Sequence, residues 1–150
     1  MPVVEIHQHI EAPPEKVWDL LCDIRRAPEW VTVMLETLYV SDDWIQKGSV
    51  YRERSKVGPS TSITEWTITA FDPPHVQVHE THERTLSVEL TMEVEPDGDG
   101  SMLIHRTEFK MLPVFRPLGW LVEQLFGKRT MSRELNQSVQ NVKRLLESAG

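Results

Sequence analysis

Apolar and polar residues alternate at the start of the chain, from Val3 to Glu11. One face of this segment carries Val4, Ile6, Gln8 and Ile10, and the other carries Glu5, His7, His9 and Glu11. A period of two predicts a half-buried β-strand. The sequence Ala12-Pro13-Pro14 ends it, because proline cannot continue a strand ladder and suits the first turn of a helix.

Helical spacing follows at once and returns near the end of the chain. The apolar residues between Val17 and Leu21 predict a short amphipathic helix that ends at about Asp23, and a very short helix or turn follows at 25–30. From Leu118 onward apolar residues again recur at helical spacing. They predict a long C-terminal helix that Gly127 could interrupt.

Six further strands are predicted between these helices. Their approximate bounds are Val33 to Ser41, Gly48 to Lys56, Ser62 to Phe71, His75 to His82, Leu86 to Val94 and Met102 to Lys110. The turns between them are short, which favours an antiparallel meander because parallel pairs need long crossovers. The pattern therefore predicts an α+β fold in which seven strands curl around a long helix and leave a cavity.

Several motifs accompany this order of elements. They are Ile10-Glu11-Ala12-Pro13-Pro14-Glu15-Lys16-Val17-Trp18, Asp23, Pro28-Glu29-Trp30, Gly48, Asp72-Pro73-Pro74 and Pro117-Leu118-Gly119. With them the chain resembles the START/Bet v 1-like (SRPBCC) superfamily, in its polyketide cyclase/dehydrase-like branch. The resemblance implies one helix-grip domain over residues 1–150, with a seven-stranded antiparallel sheet, two short helices after the first strand and a long C-terminal helix. It also implies a hydrophobic ligand, such as a lipid, polyketide, quinone or hormone.

Charge and composition narrow the function classes. The 150 residues hold 16 Lys/Arg and 23 Asp/Glu, a net charge of −7, so we expect no DNA partner. The balance is −11 up to Phe109 and +4 from Lys110 onward, which suggests attraction between an acidic sheet and a basic final helix. One cysteine, no secretory signal and no long apolar run lead us to expect a cytoplasmic protein without a transmembrane segment.

Alternation identifies polar residues that face the predicted cavity. Tyr51 and Glu53 share a face opposite three cations, which belong in water, so both should point inward. The same reasoning places Trp66 with Ile68, and His105 with Thr107, on inner faces. It also places Glu80 and His82 inward, beside Val76 and Val78.

Two interpretations of these residues remain open. Burial could raise the pKa of Glu53 and lower that of His105, so that Glu53, His105 and Tyr51 are candidate catalytic residues. Alternatively, the three make ordinary buried hydrogen bonds or anchor the polar end of a ligand. The predicted ligand-binding set is Trp30, Tyr51, Glu53, Trp66, His105, Thr107 and Arg129.

Two members of this set have alternatives of their own. Arg129 lies near the edge of the apolar stripe of the last helix, where it could grip a carboxylate or phosphate, or could extend to solvent. Trp30 could form a lid over the cavity mouth, or belong to a satellite cluster under a loop.

Three function hypotheses follow. The first is a protein that binds a hydrophobic small molecule, as a monomer or homodimer. The second is a cyclase, aromatase or dehydratase that uses general acid/base catalysis without a cofactor. The third is a protein- or RNA-interaction module that uses the basic C-terminal helix. We expect no metal site, because the His7–His9 pair has no third ligand at a matching spacing.

Overall fold

The computed structural model describes residues 3–57, 59–83, 86–111 and 128–149 of the chain. The strands are β1 (Val3–Ile10), β2 (Met34–Val40), β3 (Val50–Val57), β4 (Ser60–Asp72), β5 (Val76–His82), β6 (Leu86–Asp97) and β7 (Gly100–Met111). The helices are α1 (Pro14–Cys22), a 3-10 helix (Ile24–Glu29) and α2 (Lys128–Ala149). The predicted strands are all present, with ends that differ by a few residues.

The strands form one antiparallel sheet in the order β1-β7-β6-β5-β4-β3-β2. After β1 the chain crosses to the far edge at β2 and then returns strand by strand, until β7 pairs with β1. Short connections force this meander, because only antiparallel neighbours can be joined by tight turns. The predicted α+β helix-grip fold is confirmed.

Helix α1 begins where the proline pair predicts. Pro13 is the N-cap and Pro14 the first helical residue, and Asp23 forms the C-cap. The helix buries the apolar side of Val17, Trp18 and its neighbours in the main core. This core fills the space between α1, α2 and the ends of β1, β6 and β7.

Helix α2 lies against β1 and α1 through the fully buried side chains of Val139 and Val142. Polar bonds fix its position along β1: Gln140 Nε2 donates to Gln8 Oε1 at 2.7 Å, and Glu147 accepts from the backbone N–H of Glu11 at 2.9 Å. The part of the long helix that was predicted between Leu118 and Gly127 lies outside the described residues. None of the helices in the described ranges is long and apolar enough to cross a membrane.

The predicted orientation of β5 is wrong. Glu80 is only half-buried and His82 is exposed, while Gln77, His79 and Thr81 are the buried residues of this strand. The prediction took the side of Val76 and Val78 as the inner face, but the inner face of β5 is polar and its side chains are paired in hydrogen bonds. The β-bulge between Ile68 and Ala70 shifts the faces of β4 alone, and β5 alternates regularly.

Candidate functional site

A cavity of about 510 Å³ lies between the inner face of the sheet, the segment around the 3-10 helix and α2. We call it the sheet cavity. Strands β3 to β7 contribute Tyr51, Glu53, Ser55, Trp66, His79, Thr81, Leu86, Val88, Leu90, Met92, His105 and Thr107. The remaining walls include Trp30, Val31, Met34, Met131, Leu135 and Ser138. The walls are mainly apolar, with a small number of buried polar groups.

The segment that follows the 3-10 helix holds Trp30 at the edge of the sheet cavity. Its carbonyl oxygen accepts from Asn141 Nδ2 at 3.1 Å, and the backbone N–H of Thr32 donates to Ser138 Oγ at 3.1 Å. The Thr32 hydroxyl also donates to the carboxylate of Glu134. Trp30 is part of the main core, so it is not in a satellite cluster, and its position is fixed by α2.

A chain of hydrogen bonds runs behind one wall of the sheet cavity. The Tyr51 hydroxyl lies 2.6 Å from His79 Nδ1, and His79 Nε2 lies 2.7 Å from Gln77 Oε1. Because Gln77 Oε1 can only accept, His79 carries its proton on Nε2, and Tyr51 donates to Nδ1. Gln77 Nε2 in turn donates to Cys22 Sγ at 3.6 Å.

Every side chain in this series of hydrogen bonds is uncharged near neutral pH. Burial lowers the pKa of His79 to about 3, with a smaller contribution from His105. Burial also holds the pKa of Tyr51 well above its usual range and raises that of the Cys22 thiol to about 12. This series of hydrogen bonds therefore holds Tyr51 and His79 as neutral hydrogen-bonding groups. Cys22 is a packing residue rather than a nucleophile.

Glu53 is the buried carboxyl group of the site. It lies beside Tyr51 on the inner face of β3, and its Oε1 accepts from Trp66 Nε1 at 2.9 Å. The Trp66 ring stacks on Tyr51 with ring centroids 6.4 Å apart. Burial raises the pKa of Glu53, and the hydrogen bond from Trp66 opposes this rise only in part. Glu53 is thus able to hold a proton at a higher pH than an exposed carboxyl group.

Three polar atoms in the sheet cavity have no hydrogen-bond partner among the described residues. They are Trp30 Nε1, His105 Nδ1 and Thr107 Oγ1. The Trp30 and His105 rings meet edge to face, with centroids 6.4 Å apart, and Thr107 is two residues from His105 on β7. Burial lowers the pKa of His105 to about 4, so its ring is neutral. Such atoms are rare in protein interiors, and in a cavity they indicate where a ligand could bind.

The structure places six of the seven predicted binding residues around the sheet cavity. The exception is Arg129, which is exposed at the start of α2 and is absent from the described walls. The predicted inward orientation of Tyr51, Glu53, His105 and Thr107 is observed. Among the described residues no hydrogen bond joins Glu53 to His105, and Glu53 Oε1 accepts from Trp66 Nε1.

Gln77, His79 and Thr81 were missed from the sequence. The Thr81 hydroxyl donates to the Glu65 carbonyl oxygen at 2.7 Å, and the other two belong to the chain behind Tyr51. One signal could have identified them. A buried Tyr51 needs a partner for its hydroxyl, and β5 offers a polar face of Gln, His and Thr at every second position.

The predicted His7–His9 face is polar, and both histidine rings lie close to carboxylates. His9 lies between Asp97 at 2.7 Å and Glu11 at 2.8 Å, and His7 lies 3.6 Å from Glu5. Within the described ranges, no group of three or more His, Cys, Asp or Glu side chains could hold a metal ion.

A second recess, of about 610 Å³, lies between α1 and the segment that joins β2 to β3. Its walls carry several carboxylates, of which Asp42 is already bonded to the Ser49 hydroxyl at 2.7 Å. Trp44, also in its wall, is 88% exposed. In the part of the chain that the structure describes, no buried polar atom without a partner lines this recess. The sheet cavity is therefore the candidate site.

Known structures share this fold at low sequence identity. A START superfamily protein from Mycobacterium smegmatis superposes with a TM-score of 0.75 at 14% identity, over 99% of each chain. The di-domain aromatase/cyclase StfQ of the steffimycin biosynthetic pathway gives 0.78 at 13% identity, over 98% of this chain and 51% of that one. A Thalictrum norcoclaurine synthase point mutant, in complex with a transition-state analogue, gives 0.74 at 16% identity, over 99% of this chain and 95% of that one.

The sequence comparisons agree with the fold. No curated protein sequence gives a significant match. The model of the polyketide cyclase / dehydrase and lipid transport family matches residues 1–147, which is nearly the whole length of the sequence. The motifs at the β1–α1 junction, the seven-stranded sheet and this match lead to one conclusion: the chain belongs to the polyketide cyclase / dehydrase and lipid transport family.

Proposed function

We propose that this chain binds a largely apolar small molecule in the sheet cavity. The observation that carries the proposal is a cavity of about 510 Å³ with mainly apolar walls and a few buried polar groups. Ligand sites for small molecules have this size and composition. Similarity to a cyclase and to a norcoclaurine synthase supports the same interpretation, because these relatives have the same fold.

Titration with Nile red, an uncharged dye that fluoresces in apolar surroundings, tests this proposal. Leu90 lies in the cavity wall and is only partly buried, so Leu90→Trp should fill the space and weaken binding at least about tenfold. Glu89→Trp is the matched control, because Glu89 is the adjacent residue and is exposed on the other face of β6. Equal binding by the wild-type protein and Leu90→Trp would place the dye elsewhere and contradict the proposal.

A second function is favoured by the buried Glu53 carboxyl group. As a carboxylate it could remove a proton from the carbon next to a substrate carbonyl, and the resulting enolate could attack a second carbonyl carbon. A carbon–carbon bond would form, the Glu53 proton would pass to the new alkoxide, and loss of water would complete an aromatising cyclisation. The raised pKa suits a group that must both take and return a proton near neutral pH.

Incubation with a linear polyketone thioester, followed by mass spectrometry of the products, tests catalysis separately. Glu53→Gln retains an oxygen that can accept from Trp66, so Nile red binding should persist while cyclised product disappears. Equal product from the wild-type protein and Glu53→Gln would exclude Glu53 as the acid/base. Equal loss of product and of Nile red binding would indicate a binding role for Glu53 instead.

A further inference from the structure

We infer that the ligand of the sheet cavity is uncharged and carries a carbonyl or hydroxyl oxygen that binds at Trp30, His105 and Thr107. We call these three residues the donor cluster. The inference rests on the proposed binding function and names the class of ligand: neutral oxygen-bearing apolar molecules, rather than carboxylates or phosphate esters.

The donor cluster is buried in the wall of the sheet cavity. Trp30, His105 and Thr107 are 4%, 2% and 3% exposed, and all three line the sheet cavity. Trp30 Nε1, His105 Nδ1 and Thr107 Oγ1 have no partner within the described residues, although neighbouring buried groups such as Thr81 and His79 are bonded. Buried polar groups are normally paired, so this concentration at one place indicates that a bound group completes them.

The chemistry of the donor cluster selects an oxygen acceptor. An indole N–H can only donate, and a threonine hydroxyl can donate or accept. The pKa of His105 is lowered to about 4, so its neutral ring offers one N–H and one lone pair. A carbonyl oxygen of the ligand has two lone pairs and can accept hydrogen bonds from two of these donors. A hydroxyl group of the ligand can accept a hydrogen bond from Trp30 and donate one to His105.

The charged residues in the described walls of the sheet cavity disfavour anions. The described residues that line the sheet cavity include no Lys or Arg, but they include the acidic residues Glu53 and Glu83. A carboxylate or phosphate would lose its hydration there without gaining an opposite charge. Arg129, which was predicted to grip an acidic group, is exposed and lies outside these walls.

The sheet also separates the donor cluster from the other polar groups. Strand β6 lies between β7 and β5 and presents Val88, Leu90 and Met92 to the sheet cavity. Strands are spaced by about 4.8 Å, so β7 and β5 lie about 10 Å apart. Tyr51 belongs to β3, but its hydroxyl lies 2.6 Å from His79 Nδ1 on β5. A ligand with an apolar body of this width could therefore bring one oxygen to the donor cluster and another to the Tyr51 hydroxyl.

Displacement of Nile red by three compounds with one ring skeleton tests the inference. Fluorenone carries a carbonyl, fluorene carries a methylene group in its place, and fluorenecarboxylate carries a charge. We expect fluorenone to bind about tenfold more tightly than fluorene, the effect of roughly one good hydrogen bond, and fluorenecarboxylate to bind most weakly. Trp30→Phe and Thr107→Val should each reduce the ratio of the fluorenone affinity to the fluorene affinity to about threefold or less.

This affinity ratio separates the effect of hydrogen bonding from that of packing. Both compounds lose the same apolar contacts in each variant, so a change in packing cancels in the ratio. Thr81→Val is the matched control and should leave the ratio unchanged, since its hydroxyl is already bonded to a backbone carbonyl. The inference is overturned if neither donor-cluster variant changes the ratio, if fluorenecarboxylate binds as tightly as fluorenone, or if Nile red binds and no compound displaces it. Failure of Nile red itself to bind would instead refute the proposed function.

Discussion

The hydroxyl of Thr107 provides a sharp test of the donor cluster, because its removal should stabilise the empty protein. Thr107 is 3% exposed, and its Oγ1 has no partner among the described residues. A buried polar group without a partner is unfavourable by about 1–3 kcal/mol. Valine has nearly the same shape, so Thr107→Val removes that penalty and adds a buried methyl group worth about 0.8 kcal/mol.

We therefore expect Thr107→Val to raise the free energy of unfolding by about 2–4 kcal/mol, the sum of these two effects. For a chain of 150 residues, each kcal/mol corresponds to about 2–4 °C in Tm. Thr81→Val is the matched control, because Thr81 also lines the sheet cavity and is 4% exposed. This substitution removes the 2.7 Å hydrogen bond from Thr81 Oγ1 to the Glu65 carbonyl oxygen, so it should lower the free energy of unfolding by about 1 kcal/mol.

Urea denaturation, followed by far-UV circular dichroism, measures both changes. The proteins should first be unfolded and refolded, so that no ligand from the expression host remains bound. A loss of stability in Thr107→Val as large as that in Thr81→Val would show that the Thr107 hydroxyl is satisfied in the folded protein. A satisfied hydroxyl would not need a ligand oxygen, and Thr107 would not belong to the donor cluster.

Three further predictions concern buried ionisable groups and a close backbone contact. Burial raises the pKa of Glu53 above its ordinary value of 4.5, so the folded protein resists its ionisation. The wild-type protein therefore loses stability as pH rises through the pKa of Glu53 in the folded state. In urea denaturation, Glu53→Gln should have a higher free energy of unfolding than the wild type at pH 8, and this difference should disappear below about pH 4.5. The pKa values of His79 and His105 are lowered to about 3 and about 4, so NMR spectra at pH 5.5 should show neutral rings, and protonated rings would contradict their burial. Because the unfolded protein binds these protons more readily, the free energy of unfolding should fall as pH drops below about 6.5. A Cβ at Gly100 would overlap a backbone oxygen of β1, so Gly100→Ala should lower Tm by more than 4 °C, whereas Gly98→Asn, at a φ of 61° with open space around it, should change Tm little.

Local patterns in the sequence predict most of the fold. The proline pair marks the start of α1, and close turn signals specify an antiparallel meander. On β3 the three outward cations identify Tyr51 and Glu53 as inward residues, because charges on one face of a strand leave little doubt about which face is wet. These signals act within one element or one turn, so a single sequence carries them.

The orientation of β5 could not be predicted in the same way. Val76 and Val78 are the apolar residues of this strand, yet they are only half-buried, while Gln77, His79 and Thr81 are buried and hydrogen-bonded. Apolarity alone does not identify the inner face when that face lines a cavity and its polar side chains are paired.

The arrangement of the site also depends on contacts that are distant in sequence. Tyr51 is bonded to His79, and Trp30 is fixed by Asn141 of α2. Alternation on β7 selects His105 and Thr107 as inward residues, but it cannot show that they lack partners. That property follows only from the three-dimensional arrangement of their neighbours.

Native mass spectrometry of the protein purified from its own host tests the central claim most directly. If the chain binds an apolar molecule in the sheet cavity, the wild-type protein should carry a mass above the 17.4 kDa of the polypeptide, and mild activation should release a neutral compound. The Leu90→Trp variant should appear at the mass of its polypeptide alone, while Glu89→Trp should retain the added mass. A bound compound that remains in Leu90→Trp, or a wild-type protein that carries none and binds no Nile red, would contradict the claim.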